Sequence, residues 1–191
     1  MKSYSVYFIR NSNLELVHSI FSKVDTLPNS KWLMCNFNKD DYPPDDDVLW
    51  GQANMIVDQL LILGEVLFLY GDTSCDGFVY EHALNGKMLR KLVWFPMLDD
   101  DWTAGCLYVI GDSEEWESQL FREIQLTQYL EGEKGRLEDF GQADQFGAIA
   151  QAIKEAWQKK QIMAGKTFPP CDGTVPLLVE GYYKIHRPMS K

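Results

Sequence analysis

Asp72-Thr73-Ser74-Cys75-Asp76-Gly77 has the opening of a calcium-binding loop. Oxygen-bearing side chains stand at its first, third and fifth positions and a turn-forming glycine at the sixth, which would converge ligands on a hard cation. The pattern fails at the twelfth position, where Ala83 replaces the bidentate glutamate. The residues after Gly77 also alternate as a strand. The expectation is a polar turn joining two strands, with weak calcium binding or none. Asp99-Asp100-Asp101 offers three carboxylates, but adjacent acids point in different directions, so a solvated loop is expected. Asp72, Asp76 and the Asp99–Asp101 loop together define an alternative reading, a metal-dependent enzyme or cation-regulated domain.

The histidines are His18, His82 and His186. His82 follows Glu81 in a β-rich run, where a cross-strand structural role is expected. A general base would need a water or nucleophile held beside it. Cys35, Cys75, Cys106 and Cys171 form no C-x-x-C pair, and Cys35 and Cys106 read as small packing residues in strands. No G-x-S-x-G elbow, H-E-x-x-H zinc site, G-x-G-x-x-G turn or G-x-x-x-x-G-K-S/T phosphate loop occurs. No cofactor and no catalytic residue follows from the chain.

Charge is the strongest global signal. Residues 40–117 hold 17 acidic side chains against Lys87, Arg90 and Lys91, a net −14. The flanking segments sum to +3 and +1, so the whole −10 sits in the centre. This balance speaks against nucleic acid and against an anionic membrane surface, which both demand clustered cations. It suits a cationic partner. Trp50, Trp94, Trp102 and Trp116 fall in the same stretch. Aromatic anchors beside steering acids are what an interface for a basic protein uses. The candidate partner-binding residues are therefore Asp45, Asp46, Asp47, Asp99, Asp100, Asp101, Trp102, Glu114, Glu115 and Trp116.

The elements that must position these residues are read from periodicity. Tyr4–Ile9 and Trp32–Phe37 alternate as strands, and Val66–Tyr70 is a continuous apolar run suited to a central strand. Asn11–Asn13 caps a helix carrying Leu14, Val17, Phe21 and Val24. A single helix is expected from the acidic cluster at 45–47 through Leu49, Ile56, Leu60 and Leu63. Asn85-Gly86 between Phe78–Leu84 and Lys87–Phe95 predicts a type I′ hairpin with Glu81 facing Arg90. Ala104–Ile110 is a further strand. Asp112 and Glu115 read as a capping box opening a helix to about Leu130. Residues 131–142 read as a linker, Phe146–Trp157 as an amphipathic helix, and Val175–Ile185 as a last strand.

The order implies an α+β fold: a mostly antiparallel sheet of five to six strands with helices packed on one face. Residues 1–130 would form the sheet domain and residues 131–191 a helical extension packed on it. No run of about 18 apolar residues occurs, so no membrane span is expected. The start, MKSYSVYFIRNS, lacks the features of a signal peptide, and reduced thiols in a cytoplasm are expected. The functional expectation is a non-enzymatic cytoplasmic binding protein whose acidic face engages a basic protein partner. A protein neutralising a basic toxin or nuclease, as immunity proteins do, has this size and charge. A homo-oligomer through the Phe146–Trp157 helix is a further expectation.

Overall fold

The computed structural model describes residues 2–49, 51–95, 106–166, 169 and 171–187. Among the described residues, seven strands form one antiparallel sheet ordered β2-β3-β1-β4-β5-β6-β7. They are β1 (Ser3–Arg10), β2 (Val24–Thr26), β3 (Leu33–Lys39), β4 (Glu65–Asp72), β5 (Gly77–Leu84), β6 (Lys87–Trp94) and β7 (Cys106–Ile110). The helices are α1 (Leu14–Ile20), α2 (Asp46–Leu49), α3 (Asp58–Leu61), α4 (Glu123–Asp139), α5 (Phe146–Lys159) and α6 (Val175–Tyr182), with a 3-10 helix at Glu115–Leu120. The α+β class holds, but the sheet has seven strands rather than five or six.

The helices occupy both faces of the sheet, not one. Leu67, Leu69, Tyr80 and Leu92 face a core closed by Trp116, Ile153, Trp157 and Val179, from the 3-10 helix, α5 and α6. Val66, Phe68, Val79 and Val93 face a second core closed by Val17, Val48, Leu49 and Leu60, from α1, α2 and α3. Continuous burial along β4 and β5 follows from this, because a central strand covered on both sides has no face open to water.

Several expected boundaries move. Val24 leaves the first helix and opens β2. The expected 45–63 helix breaks into α2 and α3. Between them, Ala53, Asn54, Met55 and Ile56 bond to buried side chains of β5 and β6 instead of to a helix ladder. The capping box lies at Glu114 and Glu117, not Asp112 and Glu115. The expected linker at 131–142 is largely helix, because α4 runs to Asp139, and the expected domain boundary at 130/131 falls inside it. Val175–Tyr182 is a helix with Pro176 in its first turn, a position that tolerates the missing N–H, and not a strand.

The Asn85-Gly86 turn forms, with φ of 50° and 81° at its two central residues. Ala83 pairs with Met88 as expected, but a bulge follows between His82 and Ala83. The bulge shifts the remaining register by one residue. Glu81 therefore faces Lys91, and Arg90 faces His82.

Candidate functional site

The bulge sets the chemistry of both faces. On the α1–α3 face, Lys91 donates to Ala53 O (2.5 Å) and Asn54 Oδ1 (3.2 Å) and lies 3.2 Å from Glu81. Glu81 accepts from the Met55 and Ile56 amides at 3.1 and 2.7 Å. On the opposite face, Arg10, Glu65, His82 and Arg90 make a row across four adjacent strands.

This second row is continuous. Arg10 grips Glu65 in a bidentate pair, with Nη2 donating to Oε1 at 2.8 Å and Nε to Oε2. His82 Nε2 lies 3.2 Å from Glu65 Oε1, and Nδ1 lies 2.5 Å from Glu114 Oε1. Tyr80, Trp116 (2.9 Å) and Tyr183 (3.3 Å) donate to the other Glu114 oxygen. Arg90 holds Glu117 through bonds of 2.8 and 2.7 Å and donates to Gly111 O at 2.6 Å. Glu117 in turn accepts from the Glu114 amide. The Arg10 guanidinium stands 4.4 Å from the Trp32 ring centroid.

A carboxylate oxygen only accepts, so both contacts become hydrogen bonds when the His82 ring carries a proton on each nitrogen. Burial alone would raise the Glu114 carboxyl. The bonds from His82, Tyr80 and Trp116, with the His82 charge, outweigh burial and hold it below the ordinary carboxylate range. Glu65 carries the Arg10 pair. With the His82 ring doubly protonated, three cations and three carboxylates balance within the cluster. Burial, followed by the Glu114 charge, pushes the Tyr80 and Tyr183 hydroxyls well up. Burial outweighs Arg90 at Glu117 and raises that carboxyl.

The acidic residues singled out in the sequence separate into different places. Asp45, Asp46 and Asp47 are exposed at the start of α2. Glu114 is half-buried in the ionic row, Glu115 is exposed and accepts from Tyr182 (2.8 Å), and Trp116 is fully buried against Tyr80. Trp116 therefore offers no ring to a partner. These two groups lie on opposite faces of the sheet, since α2 and the 3-10 helix close different cores. Asp99, Asp100, Asp101 and Trp102 lie outside the described residues. The helical stripe of α5, expected at an oligomer interface, is covered in part within the chain: Ala150, Ile153, Ala156 and Trp157 are buried.

Asp72 accepts from the Ser74 amide and hydroxyl (2.7 and 2.6 Å) and from Tyr70 (3.3 Å), forming a local turn between β4 and β5. Asp76 adopts a left-handed φ of 55° in the same turn. Among the described residues, no group of three or more His, Cys, Asp or Glu is placed to hold a metal ion. No helix among them is long and apolar enough to cross a membrane.

Two features escaped the sequence reading. The buried row was signalled by Glu65, Glu81-His82 and Arg90-Lys91 standing inside otherwise apolar strands. Tyr42 was signalled by its setting, Asp40-Asp41-Tyr42-Pro43-Pro44-Asp45-Asp46-Asp47. It is 88% exposed, the highest value for a large apolar side chain among the described residues. The loop's start is fastened to β1, where Ser3 donates to Asp41 O (2.7 Å), Ser5 to the Asp41 carboxylate and the Lys2 amide to Asp40. Its far end is fastened by buried Val48 and Leu49. Comparison with protein-family models, with curated proteins and with solved structures gives no match for this chain.

Proposed function

We propose that this protein is a non-enzymatic binding protein that captures a basic protein partner, and that the loop 40–47 is its contact segment. The observation carrying this reading is the exposed Tyr42 ring set among five aspartates in a loop fastened at both ends. Tyrosine supplies a large contact area at low entropic cost, the acids steer a cation, and the two prolines limit the conformations lost on binding. The wider surface supports it. Of the three basic residues in 40–117, Arg90 and Lys91 are buried in ion pairs and only Lys87 is exposed. Asp40, Asp58, Asp76, Asp112 and Glu115 remain exposed.

Neutralisation of a basic toxin or nuclease, in the manner of immunity proteins, is the form of this function that size and charge fit. The metal-dependent alternative is the weaker reading, because the Asp72 oxygens are occupied within their own turn. The test is affinity capture from lysate at about 50 mM and at high salt, where exposed charges are screened. Wild type is compared with the D45N/D46N/D47N and Y42A variants. A basic protein held by wild type at low salt, and weakly by both variants, supports the reading. Equal capture by all three, or no basic protein at all, overturns it.

A further inference from the structure

The ionic row contains one histidine, whose charge depends on a single exchangeable proton, and it stands at the junction of three elements. His82 on β5 faces Glu65 on β4, Arg90 on β6 and Glu114 ahead of the 3-10 helix. Arg10 on β1 backs Glu65, Glu117 backs Arg90, and Tyr80 and Tyr183 complete the ring of polar groups. With both ring nitrogens donating, the cluster is neutral. With one proton gone it carries a net −1 and has one donor for two carboxylates.

The unprotonated nitrogen then faces a carboxylate it cannot bond, and Tyr183, whose hydroxyl lies 3.4 Å from Nδ1, is the donor that can turn to it in place of Glu114. Glu65 is fixed, since it sits on a central strand and is held by Arg10 in two bonds. Glu114 belongs to a segment outside the sheet, and its side chain is already 15% exposed while that of Glu65 is 5%. A rotation of Glu114 into water relieves the buried charge at the least structural cost.

We propose that His82 is a proton-operated latch: its doubly protonated ring clasps Glu114 to the sheet, and loss of one ring proton releases the Glu114 carboxylate to solvent. Release removes the acceptor for the Trp116 indole, while Tyr183 keeps His82 Nδ1 (3.4 Å) and Tyr80 (3.5 Å) within reach. Among the described residues, the seam between the end of α6 and the 3-10 helix then keeps the Tyr182–Glu115 bond on its exposed side. The consequence is a rise in pH that loosens this seam and adds one carboxylate to an already acidic surface. This inference does not depend on the partner proposed for the 40–47 loop.

The test is nitrogen-15 NMR of the full chain between about pH 5 and pH 9, the range in which histidine charge changes. His82 ring nitrogens report its protons, and the Trp116 indole N–H reports whether Glu114 is in place. His18 and His186 are exposed and serve as internal controls. The expected result is a Trp116 indole shift and at least about tenfold faster indole exchange, relative to a free indole at the same pH, that track the His82 titration and not the controls. E114Q is expected to abolish that coupling while circular dichroism stays native. A Trp116 signal indifferent to the His82 titration, a ring with one proton throughout, or an E114Q protein that keeps the coupled step would each overturn the latch.

Discussion

Lys91 Nζ stands 3.2 Å from Glu81 Oε1 across the β5–β6 pair, and neither side chain is exposed. The pair does more than neutralise itself. Each partner also holds backbone from residues 53–56, so it replaces the helix that the apolar spacing of 49–63 would otherwise suggest. A buried pair with its remaining donors and acceptors satisfied is tolerated, whereas a lone buried charge is not. K91M leaves Glu81 unpaired and is expected to cost about 3–5 kcal/mol in urea unfolding. The double variant E81L/K91M should lose less than the sum of the single losses, because it leaves no unpaired charge. Additive losses would show that the two groups act separately.

Glycine substitutions should have opposite signs at two places. Gly111 has φ +77°, and a Cβ there would lie 1.8 Å from Leu89 O, a backbone atom that cannot rotate away. G111A is expected to cost more than about 2 kcal/mol and to weaken the Arg90–Gly111 bond. Gly132 lies within α4 with nothing near its absent Cβ. G132A is expected to stabilise by about 0.5–1 kcal/mol, through helix propensity alone. Thermal unfolding of both variants beside wild type checks the contrast.

Local signals carried much of the fold. Asn85-Gly86 marked the hairpin, Asn13 accepts from the Glu15 and Leu16 amides as a cap should, and Val66–Tyr70 is a central strand. What stayed hidden depends on contacts between distant residues. The bulge beside His82 is one extra residue, yet it exchanges the partners of Glu81 and Arg90 and brings Lys91, not Arg90, onto the face of Glu81. No local pattern announces it. The ionic row joins Arg10, Glu65, His82, Glu114 and Tyr183, which only the strand order brings together. Val175–Tyr182 reads as a strand by composition, but Pro176 and packing onto the sheet select a helix. Tyr42 was legible in principle, since an aromatic flanked by prolines and acids does not suit a core, whereas Trp94 and Trp116 of the same acidic stretch are buried.

Acid should separate Glu114 from its neighbours in sign. Its carboxyl is held low by donated bonds against burial, so while the His82 latch is closed its contribution is present above the ordinary carboxylate range and is lost as pH falls through its folded-state value. Glu117 and Glu180 are pushed up by burial despite Arg90 and Arg187, so their contributions run the other way and fade as pH rises. E114Q is expected to cost about 1.5–3 kcal/mol at neutral pH, the range for hydrogen bonds to a charged group. The gap to wild type should close only as pH falls below the ordinary carboxylate range, through the lowered folded-state value of Glu114, where both side chains are neutral. Urea titrations at several pH values measure that gap, and a gap independent of pH would mean that the Glu114 charge contributes nothing.

Cysteine reactivity should divide by burial. Burial, aided by Asp25, pushes the Cys35 thiol up to about 12, and the residue is inaccessible between β1 and β2. Since the thiolate is the reacting form, Cys35 should resist alkylation at mild pH in the native protein and react fully once unfolded. Cys75 is partly accessible, so it should be labelled sooner although burial raises its pKa as well. Mass spectrometry of briefly alkylated protein gives the order, and native labelling of Cys35 ahead of Cys75 would contradict the packing.

The 40–47 loop should divide its work between rate constants once a basic partner is in hand. Asp45, Asp46 and Asp47 are exposed and pair with no cation among the described residues, so their field acts on approach. Exposed charges of this kind change association more than dissociation. D45N/D46N/D47N is therefore expected to slow association by about tenfold or more at low salt, and by little at high salt where the field is screened. Tyr42 acts after contact, by losing its exposed ring surface to the partner. Y42A should leave association almost unchanged and raise dissociation by about tenfold or more, as removal of an aromatic anchor does. Neither change touches the core, so both variants should unfold within about 0.5 kcal/mol of wild type. Surface plasmon resonance at two salt concentrations separates the two effects. A Y42A variant with unchanged dissociation, or an acid-to-amide variant with unchanged association at low salt, would remove this loop from the interface.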